Sequence, residues 1–150
     1  MAVSFDVIEH VENPSVFLKE VYELLAPGGQ AIIGTPTDAP VMWSLLGEVY
    51  EKQQLFSTQH LWVLSEESLR IIAQKAGFKD IKIRYFQRYP VGNLLGWLKD
   101  KKPRSDVKEA FLTEGLDSAW KSMCNERGLS DYIVLYAGKR DGKRSGIGWK

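Results

Sequence analysis

The sequence has few of the residues that would indicate a secreted, membrane-spanning or strongly charged protein. Cys124 is the single cysteine among 150 residues, which excludes an internal disulfide framework and a zinc site built from several thiolates. The formal net charge of +1 gives no overall attraction to nucleic acid or to an anionic membrane. No apolar run approaches the roughly 20 residues that a transmembrane helix needs. We therefore expect a cytoplasmic globular protein in which Cys124 is buried and unreactive.

The residues that are present alternate between strand-forming and helix-forming segments. A hydrophobic fraction of 44% and a charged fraction of 26% are ordinary for one globular domain. Short β-branched or alternating runs predict strands at 2–6, 30–34, 80–86 and 132–137. Helical spacing predicts helices over 14–25, 42–52 and 65–76, and two or three more within 87–130. Alternation of this kind predicts an α/β protein with a mixed sheet.

Capping residues mark the ends of two of these helices. Asn13 followed by Pro14 is typical of a helix start, and Ser65 can accept a backbone N–H at the start of the helix that follows it. The sequence Pro27-Gly28-Gly29 indicates the end of the first helix, and Gly77 indicates the end of the other.

Four short motifs occur in an order that is similar to a known enzyme family. They are Phe5-Asp6-Val7-Ile8-Glu9-His10-Val11, Leu25-Ala26-Pro27-Gly28-Gly29, Ile32-Ile33-Gly34-Thr35-Pro36 and Ala76-Gly77-Phe78. Together they resemble the second half of a class I S-adenosylmethionine (SAM)-dependent methyltransferase of the type 11/type 23 group. The resemblance covers roughly residues 2–86 and 130–140. It implies a partial Rossmann-like sheet of the fourth to seventh strands, with the last strand antiparallel between the fifth and sixth.

The resemblance also implies that part of the family's fold is missing from this chain. The family's Gly-rich cofactor loop and the acidic residue that holds the ribose would both precede residue 1. The glycines at 28–29 and within 142–148 have the wrong context for binding a nucleoside or a phosphate. We therefore expect a single incomplete domain over 1–140, with a helical insertion at 87–130 and a flexible basic tail at 141–150. Such a chain should bind SAM weakly on its own.

Ligands of open α/β sheets bind beyond the carboxyl ends of the strands. By resemblance, Phe5 and Asp6 border the cofactor, while Glu9, Thr35 and Trp62 face the methyl acceptor. Packing is the favoured alternative interpretation of Trp62.

His10 and His60 are the candidate catalytic residues. Imidazole has the pKa range of a general base, so His10 could take a proton from the acceptor. A structural histidine is an equally good interpretation.

Asp6, Glu9, His10 and His60 also form a candidate metal site. The set Asp-x-x-Glu-His with a distal His resembles the Glu-x-x-Glu-His plus His ligands of some methyltransferases of small RNAs and quinone precursors. Carboxylates and imidazoles suit Mg²⁺, Mn²⁺ or Zn²⁺. This sequence departs from that set by having the shorter Asp6 at the first position. A corner held by local hydrogen bonds, without a metal, is the alternative interpretation.

Two function classes follow from these features. The first is a methyltransferase that acts on a small-molecule or glycoconjugate acceptor, present here as its acceptor-side half. The second is a non-catalytic module for self-association or partner binding. Its basis is the strand at 2–6, which should form an open sheet edge and could pair in a homodimer or with a separate N-terminal half. Nucleic-acid binding is disfavoured by the near-neutral charge.

Overall fold

The computed structural model describes residues 1–56, 59–102 and 107–140. The strands are β1 (Ala2–Phe5), β2 (Gln30–Pro36), β3 (Lys79–Tyr85) and β4 (Tyr132–Gly138). The helices are α1 (Pro14–Leu24), α2 (Pro40–Leu46), α3 (Glu48–Tyr50), α4 (Glu66–Ala76), α5 (Val91–Asp100) and α6 (Glu114–Glu126), and a π-helical turn covers Glu51–Leu55. The predicted basic tail at 141–150 lies outside the described residues.

The four strands form one mixed sheet in the order β1-β2-β4-β3. β1 pairs with β2 in parallel, while β4 pairs antiparallel with both β2 and β3. The last strand is therefore inserted between the second and third. This confirms the predicted α/β fold, including the strand order that the family resemblance implied.

The capping residues that the sequence predicted define the helix ends. Asn13 Oδ1 accepts the backbone N–H groups of Ser15 and Val16 at the start of α1. Ser65 Oγ accepts the N–H of Ser68 at the start of α4. Gly77 ends α4 in the left-handed region at a φ of 106°, which a residue with a Cβ adopts only under strain.

One face of the sheet carries the main core. Ala31, Ile33 and Leu135 point to this face and are fully buried, and α1 and α4 cover it with Leu18 and Leu69. The apolar spacing that predicted these helices thus reflects their packing against β2 and β4.

The opposite face of the sheet is less covered in the part of the chain that the structure describes. Val3 and Phe5 of β1 point to this face and are half exposed, at 52% and 50%. Ile32 and Tyr136 continue the same face and are partly buried.

A second, smaller core joins α2, α3, the π-helical turn and α5. Met42, Tyr50, Leu55 and Trp97 are buried there, and the rings of Tyr50 and Trp97 meet edge to face at 5.2 Å. The helix predicted over 42–52 is interrupted at Gly47, whose φ of 51° ends α2. This core lies beyond the end of β2 and forms a wall of the candidate site.

The strand β2 runs two residues further than the sequence predicted. Thr35 and Pro36 lie beyond the predicted strand end at residue 34, but they pair with Ile133 and Tyr132 of β4. Pro36 belongs to β2 because it pairs with Tyr132 of β4. This partner lies about a hundred residues away along the chain, so the local sequence did not indicate the pairing. Among the described residues, the helices are all too short or too polar to cross a membrane.

Candidate functional site

The candidate site lies at one edge of the sheet, which we call the carboxyl edge. Because β4 is antiparallel to β2 and β3, its amino end meets the carboxyl ends of β1, β2 and β3. Glu9 follows β1, Thr37 follows β2, Arg88 follows β3 and Asp131 precedes β4. This is the edge at which open α/β sheets bind ligands.

Glu9 is the buried acid of the carboxyl edge, with a side chain that is 1% exposed. Thr35 Oγ1 donates a hydrogen bond of 3.1 Å to Glu9 Oε2. Glu9 Oε1 has no hydrogen-bond partner among the described residues. A buried carboxylate oxygen without a partner costs free energy, so this oxygen is suited to a ligand that brings a donor or a positive charge.

The backbone around Glu9 holds this carboxylate in position. The neighbouring Ile8 is fully buried in the main core. The carbonyl of Glu9 accepts the N–H groups of Leu61 and Trp62 at 2.9 and 3.2 Å. The segment before α4 is therefore fastened to the corner after β1, which brings His60 to His10.

The two histidines of the sequence lie against each other with their ring centroids 5.0 Å apart. His10 Nδ1 is 2.6 Å from the carbonyl oxygen of Gln59, and His60 Nδ1 is 3.0 Å from that of Leu55. A carbonyl can only accept, so each Nδ1 carries a proton and donates it. In the neutral ring, the lone pair is then on Nε2.

Glu9, His10 and His60 each bring one possible ligand atom to a common place, and these atoms lie within 4.8 Å of one another. His10 Nε2 is 3.9 Å from Glu9 Oε1. A carboxylate and two imidazoles suit a divalent cation that accepts mixed nitrogen and oxygen ligands.

Asp6, the fourth residue of the predicted metal set, is not part of this cluster. It lies in the left-handed region at a φ of 54°, directly after β1. Its Oδ1 is instead 3.6 Å from Arg88 Nη1. The candidate metal ligands that the structure brings together are therefore three rather than four.

Phe5 and Asp6, the candidate cofactor residues, lie side by side at the end of β1. The ring of Phe5 covers Gly34, where a Cβ would collide with that ring and lie 2.7 Å from the Tyr132 hydroxyl. The Asp6 side chain is 55% exposed. Both side chains are therefore reachable from solvent beside the carboxyl edge.

Thr35 and Trp62, two candidate acceptor residues, are placed differently. Thr35 is fully buried, and its hydroxyl supports Glu9. Trp62 is 43% exposed, and its Nε1 donates to the carbonyl of Val11 at 3.0 Å. Trp62 lines a small depression together with His60.

Arg88 and Asp131 form an ion pair that the sequence analysis missed. Arg88 Nε and backbone N donate to Asp131 at 3.1 and 2.8 Å, and the guanidinium lies 4.2 Å from the centre of the Tyr132 ring. Burial raises the pKa of Asp131, and the neighbouring Arg88 opposes this shift. Burial, with the charge of Asp6 adding to it, raises the pKa of Tyr132. The predicted strand order could have indicated Asp131. The amino end of an antiparallel strand inserted between β2 and β3 lies at the carboxyl edge, and Asp131 directly precedes that strand.

A cavity of about 260 Å³ opens beside this ion pair, and we call it the aromatic cavity. Four aromatic side chains line it, together with Asp131 and several amide and aliphatic groups. The aromatic residues are Tyr50, Tyr89, Trp97 and Trp120. The depression beside His60 and Trp62 shares Tyr50 and Asp131 with the cavity, so the two are neighbours.

Comparisons with known proteins show the family and the fold of this chain. A family profile described as a methyltransferase domain matches residues 1–83. No curated protein matches the chain. A SAM-dependent methyltransferase from Thermotoga maritima has 20% identity and a TM-score of 0.54, over 92% of this chain and 55% of its own. A SAM-dependent methyltransferase from Archaeoglobus fulgidus has 16% identity and a TM-score of 0.52, and the match covers 92% of this chain and 58% of that one.

A third solved structure, the Haloferax volcanii complex of the Trm112 methyltransferase activator with a methyltransferase, has 13% identity and a TM-score of 0.54. The match covers 95% of this chain and 54% of that one. This chain thus spans little more than half the length of these solved structures. With a family match over more than half of its residues and the matching sheet order, the chain belongs to the methyltransferase-domain family and has the class I SAM-dependent methyltransferase fold.

Proposed function

We propose that this chain forms the acceptor-side part of a SAM-dependent methyltransferase that acts on a small-molecule or glycoconjugate acceptor. The observation that carries the proposal is the cluster of Glu9, His10 and His60, which lies at the carboxyl edge of a methyltransferase sheet. Glu9 Oε1 is buried without a hydrogen-bond partner in the described structure, as expected of an atom that meets a ligand. The cytoplasmic location stays a prediction from the sequence.

Positioning is the main task that this chemistry gives to the protein. When bound, SAM supplies a methyl group on a positively charged sulfur, which is already an activated donor. Aligning the acceptor atom with that methyl group therefore does most of the catalytic work. Phe5 and Asp6 would border the cofactor at the end of β1, and Trp62 would contact the acceptor.

The histidines would handle the proton of the acceptor. Nδ1 of His10 is engaged with a carbonyl, so Nε2 is the atom that can accept a proton from an acceptor hydroxyl or amine. Glu9 Oε1, 3.9 Å from that Nε2, would stabilise the imidazolium that forms. His60, with its Nδ1 fixed in the same way, is positioned as a second base.

A divalent cation is the second candidate occupant of this cluster. Metal-bound histidines usually donate their other N–H to a carbonyl or carboxylate, and both histidines here donate to backbone carbonyls. Zn²⁺ or Mn²⁺ would be held by Glu9 Oε1 and the two Nε2 atoms. It would polarise an acceptor hydroxyl and ease its deprotonation.

Calorimetry with Zn²⁺ and Mn²⁺ on the 150-residue chain tests the cation. His60→Ala should weaken metal binding at least about tenfold, because even the loss of a ligand's support has an effect of that size. Glu12→Gln, which changes an exposed acid outside the cluster, is the matched control. Equal affinity in the His60→Ala variant would exclude the metal role.

Two measurements test the methyltransferase proposal. The isolated 150-residue chain should bind SAM weakly, and micromolar affinity would contradict its being only the acceptor-side part.

The complete natural polypeptide that contains these residues should transfer the labelled methyl group of SAM to small hydroxyl or amine compounds. His10→Ala should lower kcat by about 10²- to 10⁴-fold, and Glu12→Gln should leave it unchanged. Full activity of the His10→Ala variant would exclude the assigned base.

Self-association is the alternative function, favoured by the exposed apolar side chains of β1. Val3 and Phe5 lie on the less covered face, and β1 pairs on one side only in the described structure. An open strand edge of this kind can pair with another chain. The partner would be a second copy of this chain or a separate N-terminal half.

A further inference from the structure

We propose that the aromatic cavity binds a positively charged ammonium group of the methyl acceptor. This inference rests on the proposed function, because it assigns the acceptor's anchoring site. It goes further by naming the chemical class of the acceptor: a small molecule that carries a protonated or quaternary nitrogen in addition to the group that is methylated.

Aromatic rings form much of the wall of the aromatic cavity. Tyr50 and Trp97 are 5% and 3% exposed and meet edge to face, which fixes both rings. Tyr89 and Trp120 complete the aromatic lining. The faces of such rings carry negative electrostatic potential and attract a cation within about 6 Å of the ring centre.

Among the described residues, Asp131 is the single charged side chain that lines the aromatic cavity. Its partner Arg88 lines the neighbouring depression, and the Arg88 guanidinium lies 5.4 Å from the centre of the Tyr89 ring. Burial raises the pKa of Tyr50; the charge of Asp131 adds to this shift, and the charge of Arg88 opposes it. An ammonium group in the cavity would share the Asp131 carboxylate with Arg88 and would be stabilised by that charge.

The polar groups around the aromatic cavity are largely engaged with the protein itself. Trp120 Nε1 and Gln87 Nε2 both donate to the carbonyl of Tyr89 at 3.2 Å. Gln87 Oε1 accepts the backbone N–H of Asp131. Recognition is therefore left mainly to the ring faces and the Asp131 charge, which favour a cation over a ligand that depends on many hydrogen bonds.

The position of the cavity suits an anchor rather than a reaction centre. A protonated or quaternary nitrogen has no lone pair, so the group held there is not the atom that receives the methyl group. Tyr50, Gln54 and Asp131 separate the cavity from the depression that reaches His60 and Trp62. An acceptor anchored in the cavity could therefore extend its reacting group towards the histidines.

A pair of probes that differ only in charge tests the proposal. Choline and dimethylbutanol, its neutral carbon isostere, are titrated into the 150-residue chain and followed by NMR. Choline should bind about three- to thirtyfold more tightly, as expected for one cation–π contact that is partly desolvated. Equal or tighter binding of the alcohol would overturn the proposal.

Substitutions of Trp120 show whether the cavity is the site. Trp120→Leu should weaken choline binding about three- to thirtyfold, whereas Trp120→Phe, which keeps an aromatic face, should lose less. Trp43→Leu, at an exposed tryptophan outside the cavity, should have no effect. Asp131→Asn should reduce the preference for choline over the alcohol. Unchanged choline affinity in Trp120→Leu, in a variant whose NMR spectrum shows it folded, would also overturn the proposal.

Failure of this proposal can be distinguished from failure of the proposed function. Choline selectivity without any methyl transfer would support the cationic site and count against the enzyme. Methyl transfer to an acceptor that lacks a cationic nitrogen, with no choline selectivity, would support the enzyme and overturn the cationic site.

Discussion

At the scale of single residues, Glu9 shows a conflict between stability and function. Its Oε1 is buried without a hydrogen-bond partner in the described structure, although Thr35 satisfies Oε2. A buried carboxylate oxygen in this state destabilises the folded chain. Residues of this kind are retained where a ligand needs them.

Glu9→Gln should therefore stabilise the metal-free protein, because a neutral amide of the same shape costs less to bury. We expect the free energy of unfolding to rise by about 1 kcal/mol, measured by urea denaturation with a chelator present. Glu12→Gln at an exposed position should change it little. A loss of stability in Glu9→Gln would mean that the carboxylate is stabilised by a partner and would contradict this prediction.

The sequence grouped the three residues of this cluster on two grounds, one local and one from the family pattern. Glu9 and His10 are adjacent in the chain, and the family pattern supplied His60 as their partner. The pattern failed for Asp6, because the left-handed backbone after β1 places this residue beside Arg88. The pair of Arg88 and Asp131 was not predicted, since it joins residues 43 positions apart through the sheet.

At the scale of secondary-structure elements, the close pairing of β1 with β2 depends on Gly34. This residue pairs with Phe5 of β1 and Val134 of β4. A Cβ on Gly34 would collide with the Phe5 ring and the Tyr132 hydroxyl. The Phe5 ring at the end of β1 can therefore lie over β2 only if position 34 has no side chain.

Gly34→Ala should destabilise the protein by about 1–3 kcal/mol, the range typical of overpacking, as measured by urea denaturation. Gly115→Ala in α6 is the matched control, because a Cβ there has its nearest contact at 3.8 Å and a helix favours alanine. Adding Phe5→Ala to the Gly34→Ala variant should recover part of the loss. An unaffected Gly34→Ala variant would show that β1 can shift away without cost.

The elements themselves were predictable to different degrees. Local signals defined α1 and α4, because Asn13 and Ser65 act on backbone groups two or three residues away. The extension of β2 through Thr35 and Pro36 was not predictable, because it depends on pairing with β4. Strand order came from the family resemblance, since periodicity carries no information on which strands are neighbours.

At the scale of the whole molecule, burial of titratable side chains makes the fold sensitive to alkaline pH. Cys124 is fully buried, as predicted, and burial raises the pKa of its thiol from 9.0 to about 11. Burial also raises the pKa of Tyr50 and Tyr132 above the ordinary value of 10.0. These groups bind protons more tightly in the folded state than in the unfolded state.

The resulting stability is present in full below the unfolded pKa and is lost as the pH rises through the folded value. We expect the free energy of unfolding to be constant between pH 7 and about pH 8, and to fall between about pH 9 and pH 11. Urea denaturation at several pH values measures this. Cys124→Ala should lose less stability over that interval than the natural chain, and an identical decline in both would show that the thiol contributes nothing to it.

The uneven cover of the sheet leads to the last prediction, which concerns association. Helices α1 and α4 bury one face, while Val3 and Phe5 remain half exposed on the other, beside the open side of β1. A second copy of the chain could pair with β1 and cover these side chains together, which predicts a homodimer in sedimentation experiments. Val3→Lys should give a monomer, because a charge on an edge strand opposes pairing. Val16→Lys, at a helical valine of similar exposure (49% against 52%), should remain dimeric. A folded natural chain that is monomeric at high concentration would exclude self-association and leave a separate N-terminal half as the partner of β1.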